Sequence, residues 1–167
     1  MAVIIMETIT SLVKNLKSSI STEPHLRSLT LKKGELFSWN HTACVITYNP
    51  KAESADAYLL HEFSHALLQH QEYAHDIDLL KMERAAWDRA IVVANDFHVK
   101  IEDNLIESAL DTYRDWLHER SICPTCNATG IETTKQQYEC VSCRSSWHVN
   151  EAKDCSLRRY KTKKHLA

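Results

Sequence analysis

Glycine and proline are scarce, two and three in 167 residues. So few breakers argue against a loop-rich or disordered chain. Long apolar runs are missing too. None approaches the ~20 residues of a membrane span, so no membrane-crossing segment is expected. The opening Met1-Ala-Val-Ile-Ile-Met-Glu7 has an apolar run too short for a signal peptide and no basic lead. Charge of one sign is lacking as well: the net charge is −2, which supplies no overall pull toward nucleic acid. Internal repeats and low-complexity stretches are absent. A chain of this length can bury one good core and carry a small appendage.

Cysteine and histidine are plentiful, at six and ten. With no signal peptide expected, the cysteines are expected in a reducing cytoplasm, where paired C-x-x-C motifs suggest metal before disulfide. The most informative stretch is residues 58–69, which contains His61-Glu62-Phe-Ser-His65, an H-E-x-x-H pattern. At about 100° per residue, His61, His65, Tyr58 and Leu68 share one side of a helix, with Leu59, Phe63, Ala66 and Leu67 roughly opposite. Such a helix can bury one side and aim the other at a metal. Two neutral imidazoles suit zinc, and the carboxylate of Glu62 can take a proton from water. Asn49-Pro50 reads as a cap and first helical residue before this run.

The remaining order is α+β. Residues 3–20 repeat apolar side chains at helical intervals. Residues 29–39 read as two short strands around Gly34, and residues 43–48 as a third strand completing a meander. A second helix, capped by Asp76 or Asp78, runs to about Phe97 and puts Glu83, Ala86, Trp87, Ala90 and Ala94 on one side. A further helix spans about Asp103 to Glu119, its apolar stripe serving the core.

Two histidines need a third protein ligand, with the fourth position left for water. Helical geometry favours Glu83, facing the histidines. Glu72, Asp76, Asp78 and Asp88 compete, and His70 and His75 read as bystanders. His61-Glu62-Phe-Ser-His65-Ala-Leu-Leu followed by Glu83-Arg-Ala-Ala86-Trp87-Asp-Arg-Ala90 resembles the ImmA/IrrE family of compact zinc metallopeptidases, over about residues 45–95. The resemblance implies a minimal zincin fold, with His61, His65 and Glu83 as zinc ligands and Glu62 as catalytic base. Trp87 stands where zinc peptidases often have an aspartate, which removes a carboxylate that would back a ligand. No helix-turn-helix accompanies the pattern.

Cys123-Pro-Thr-Cys126 and Cys140-Val-Ser-Cys143 are two knuckles with the spacing of a structural Cys₄ zinc ribbon. Thr129-Gly130 is expected to turn its hairpin, with Tyr138 and Trp147 packed over it. Cys44 reads as a small core residue on a strand, and Cys155 and His148 as free surface groups. The basic run Arg158–Lys164 reads as a solvated terminus, though a ribbon with a basic tail can also contact nucleic acid or protein. A zinc protease domain followed by a Cys₄ ribbon is also similar, more distantly, to SprT proteins, whose relatives act near DNA. That pattern takes its third ligand from a later histidine motif, which this chain lacks.

The resulting expectation is a cytoplasmic zinc endopeptidase acting on a protein substrate and holding two zinc ions, one catalytic and one structural. Its zincin domain would occupy residues 1–119, the ribbon 120–155 and the basic tail 156–167. The sheet edge near residues 36–48 would take substrate as an added strand. Tyr48, Tyr113 and His98 are candidates for stabilising the oxyanion. The alternatives are a SprT-like DNA-associated protease and a zincin-fold binding module without turnover, docking protein or nucleic acid through the ribbon.

Overall fold

The structure, a computed structural model, describes residues 9–151 and 156–162. It is α+β, with four helices and two small sheets among the described residues. The chain divides into two compact units. Unit 1 holds residues up to Gln71 and Met82–Ile106, and unit 2 holds Glu72–Lys81 and residues from Glu107 onward.

Unit 1 opens with α1, Ile9–Thr22, which buries Leu12, Leu16 and Ile20 at helical spacing. The expected helix began at residue 3, and residues 3–8 lie outside the described set. After a 3₁₀ turn at Pro24–Leu26 come β1 (Thr30–Lys33), β2 (Ser38–Asn40) and β3 (Val45–Tyr48). These strands do not form a meander. Their order is β1-β3-β2, with β1 parallel and β2 antiparallel to the central β3. Local pattern names strands but not partners, and β3 takes the middle because its Ile46 and Tyr48 are the strand side chains that bury. Gly34 is required next to it: a Cβ there would lie 2.4 Å from Thr47 Cγ2.

Helix α2, Ala55–Leu67, carries the H-E-x-x-H pattern. It starts later than Asn49-Pro50 suggested. The Asn49 side chain accepts the Lys51 N–H at 3.0 Å and donates to the Glu35 carbonyl, closing a turn in place of a cap. The helix is buried on nearly all sides, from Ala55 through Ala66, so both expected faces are covered. It ends in a Schellman motif: His70 N–H reaches the His65 carbonyl at 3.0 Å and Gln69 N–H the Ala66 carbonyl at 3.1 Å. Gln69 takes the left-handed conformation this requires, at φ 54°. A side chain there costs about 1–2 kcal/mol. Gln69→Gly is therefore expected to raise stability by up to about 1 kcal/mol after its extra unfolded-state entropy. Urea denaturation would check this, and a lowered midpoint would contradict it.

Helix α3, Asp76–Asp96, begins in unit 2 and continues into unit 1, while α4, Asp103–Ser121, does the reverse. Asp78 rather than Asp76 serves the α3 N-terminus, its carboxylate accepting the His75 N–H at 3.1 Å as half of a capping box.

Unit 2 carries the four-stranded sheet β4 (Gly130–Thr134), β5 (Gln137–Cys140), β6 (Ser146–Val149) and β7 (Arg159–Lys161), in sequential order. Tyr138 and Trp147 stack at 5.5 Å and are buried. Gly130 does not turn the hairpin. It starts β4, where a Cβ would meet the Trp147 ring at 2.3 Å, and Lys135-Gln136 makes the turn with Gln136 left-handed. The described part of the basic run is not a loose terminus either, since Arg159–Lys161 pairs with β6. Lys163, Lys164 and Cys155 lie outside the described residues.

Unit 2 also contains a buried polar network. Asp76 receives two hydrogen bonds from Arg120, Nε at 2.5 Å and Nη2 at 3.3 Å, and one from the Tyr138 hydroxyl at 2.6 Å. Both charged side chains are fully buried. Arg120 further donates to the Asn150 carbonyl and lies over the Trp116 ring, while its own carbonyl accepts from Trp147 Nε1. Burial and the Asp76 carboxylate push the Tyr138 hydroxyl well above its ordinary range.

Candidate metal centres

In unit 1, α2 supplies His61 and His65 and α3 supplies Glu83. His61 Nε2 is 3.1 Å from Glu83 Oε2 and 3.1 Å from His65 Nε2, and His65 Nε2 is 3.5 Å from Glu83 Oε2. All three side chains are buried. Zinc bonds of about 2.0–2.1 Å directed tetrahedrally would separate ligand atoms by about 3.3 Å. The observed triangle fits that spacing. Its ligand types, two imidazoles and a carboxylate, also suit zinc.

The electrostatics agree. Burial pushes the Glu83 carboxyl up, but His61 and His65 beside it outweigh that and hold the group well below the usual carboxylate range. Burial lowers His61, against the opposing pull of Glu83. A neutral His61 beside an ionised Glu83 is the pair of protonation states that a metal needs.

The imidazoles are backed in different ways. The His61 ring stacks on Trp87, with centroids 4.2 Å apart and planes 24° from parallel. Its Nδ1 is buried and has no hydrogen-bond partner. Trp87 thus orients His61 by its face, where a carboxylate would have taken the Nδ1 proton. Tyr58 packs edge-on against the same indole at 5.8 Å. His65 Nδ1 lies 2.9 Å from His70 Nδ1. His70 is therefore no bystander. Burial, followed by the neighbouring His65, draws its pKa down to about 4. The sequence signal for it was weak, because a Schellman turn is announced by glycine, and Gln69 stands there instead.

Glu62 is half-buried on α2 between the two histidines. The rival carboxylates go elsewhere. Asp76 pairs with Arg120, Asp78 with Lys81 and Asp88 with Arg84, while Glu72 is exposed. Tyr48 is buried on β3, and His98 is exposed just after α3 with left-handed backbone. Tyr113 lies on the part of α4 that belongs to unit 2.

Unit 2 brings Cys123, Cys126, Cys140 and Cys143 together. The two knuckles are built alike. Asn127 N–H bonds the Cys123 carbonyl and Arg144 N–H the Cys140 carbonyl, with Asn127 and Arg144 both left-handed. Cys123–Cys143 and Cys126–Cys140 sulfurs are 3.7 and 3.5 Å apart. A tetrahedral Zn–S bond of about 2.3 Å implies sulfur separations of about 3.8 Å. Backbone N–H groups of Thr125 and Ser142 point at Cys123 and Cys140 sulfur. The Ser145 hydroxyl, 3.2 Å from Cys143 Sγ, and the Ser145 N–H draw that thiol down to about 6.

Two other groups differ from expectation. Cys44 sits in the turn before β3 at φ 53°, its sulfur accepting from the Ser28 hydroxyl, and is not a strand residue. His148 is half-buried on β6 and stacked on Tyr160 at 4.7 Å, not a free surface group. No helix among the described residues is long and apolar enough to cross a membrane. Comparison with protein-family models, curated proteins and solved structures finds no match to this chain.

Proposed function

We propose that this chain is a zinc-dependent endopeptidase, a minimal zincin similar to the ImmA/IrrE peptidases, with a Cys₄ zinc ribbon as a structural module. The observation that carries the reading is the triangle of His61 Nε2, His65 Nε2 and Glu83 Oε2, with sides of 3.1, 3.1 and 3.5 Å. A metal-independent role for so tight a buried group would need a proton between the two Nε2 atoms, 3.1 Å apart.

His61, His65 and Glu83 would hold the zinc, which when bound acidifies water and polarises a carbonyl. Glu62 takes the proton of the attacking water and returns it to the leaving amine. Trp87 and Tyr58 keep the His61 ring in place. Of residues 36–48, only β2 offers a sheet edge, because β3 is central. An extended peptide would pair along β2, beside the exposed Leu36. Cys123, Cys126, Cys140 and Cys143 offer four thiolates and no open position, so their metal is structural.

The test compares cleavage products across the proteome of cells producing the wild type or Glu62→Gln. The expected result is a set of new protein N-termini present only with the wild type. Identical sets would sink the peptidase reading and favour a binding module.

A further inference from the structure

The geometry points to His70 as a positioning residue for the metal centre: its Nδ1 accepts the His65 Nδ1 proton, which leaves the His65 Nε2 lone pair for metal. This rests on the reading of His61, His65 and Glu83 as a zinc site.

A neutral imidazole carries one proton on two nitrogens, so the hydrogen bond at one nitrogen decides the other's role. The 2.9 Å separation of His65 Nδ1 and His70 Nδ1 requires one donor and one acceptor. If His70 donates, His65 must carry its proton on Nε2, and that atom points into the triangle where a metal needs a lone pair. If His65 donates, Nε2 is available. Only the second arrangement is compatible with a metal held by all three side chains.

The backbone holds His70 for this task at both of its polar atoms. Its N–H is the outer bond of the Schellman motif, ending on the carbonyl of His65 itself. Its carbonyl accepts the Trp39 indole N–H from β2 at 2.9 Å. A Schellman turn folds the residue after its left-handed position back onto the third residue from the helix end, usually for an apolar contact. Here that contact is imidazole on imidazole, with ring centroids 4.9 Å apart. His61 Nδ1 has no such partner, so His65 is the imidazole that the protein holds by a hydrogen bond at Nδ1.

The test uses the full chain loaded with zinc alone. His70→Phe keeps bulk but offers no acceptor, while His70→Asn places an amide oxygen near the position of Nδ1. Zinc affinity at the three-ligand site is read by chelator competition, and the His65 tautomer by imidazole ¹⁵N shifts. His70→Phe is expected to bind zinc about 10–100-fold more weakly, and His70→Asn to recover most of that loss. In the zinc-loaded wild type, His65 should carry its proton on Nδ1. Equal affinity in wild type and His70→Phe would overturn the inference, as would an Asn variant no better than Phe. An Nε2-protonated His65 in the loaded wild type overturns it without any variant, should His70→Phe fail to fold. His65→Ala separates the two levels: if it costs the wild type no zinc, the metal site is wrong and the role of His70 falls with it.

Discussion

Glu62→Gln is expected to keep zinc at His61, His65 and Glu83 and to lose about 10²–10⁴-fold in kcat/KM on a substrate that the wild type cleaves. The glutamine matches glutamate in size and in hydrogen-bonding reach but cannot take a proton at neutral pH. Because Glu62 is no part of the three-residue cluster, metal content should not follow activity. Glu83→Gln should behave differently. It exchanges an anionic ligand for a neutral one, beside two imidazole Nε2 atoms 3.1 and 3.5 Å from that carboxylate, so zinc affinity and activity should fall together. A Glu62→Gln enzyme as fast as wild type would remove the general base from the mechanism. A Glu83→Gln protein with unchanged zinc affinity would remove the third ligand.

The second large effect belongs to stability. Asp76→Ala is expected to destabilise unit 2 by about 3–5 kcal/mol, because it strands the buried Arg120 guanidinium and removes the partner of the Tyr138 hydroxyl. Against a typical total of about 5–15 kcal/mol, that is enough to unfold a marginal unit. Asp88→Ala makes the comparison, since its pair with Arg84 is exposed on both sides and should contribute less than about 1 kcal/mol. Urea titration followed by tryptophan fluorescence would report both, through Trp116 and Trp147 in unit 2 and Trp39 and Trp87 in unit 1. Near-equal losses for the two variants would mean that the buried network carries no special weight.

What could be read from the sequence followed the range of each signal. The α2 and α3 helices announce themselves through local period, and so does Glu83, whose helical phase aims it as Ala86 and Ala90 are aimed. Sheet order did not, because the parallel pairing of β1 with β3 is a nonlocal choice that no turn residue dictates. Asn49-Pro50 misled because an Asx turn and a helix cap use the same side-chain chemistry. Asp76 looked like a cap or a ligand, and only a partner 44 residues away reveals it as one half of a buried ion pair. β7 hid in a run of basic residues, since edge strands commonly carry charge. His70 was hidden by a helix ending in glutamine where glycine is usual.

The central claim is that two distinct clusters each hold a metal ion, one of them the three-residue site. The most direct measurement is zinc content per chain by elemental analysis of the purified wild type, His65→Ala and Cys140→Ser. The account predicts two zinc ions in the wild type and one in His65→Ala, with the loss assigned to the imidazole site because the four cysteines are unchanged. Cys140→Ser should retain the ion held by His61, His65 and Glu83. One zinc in both the wild type and His65→Ala would contradict the account.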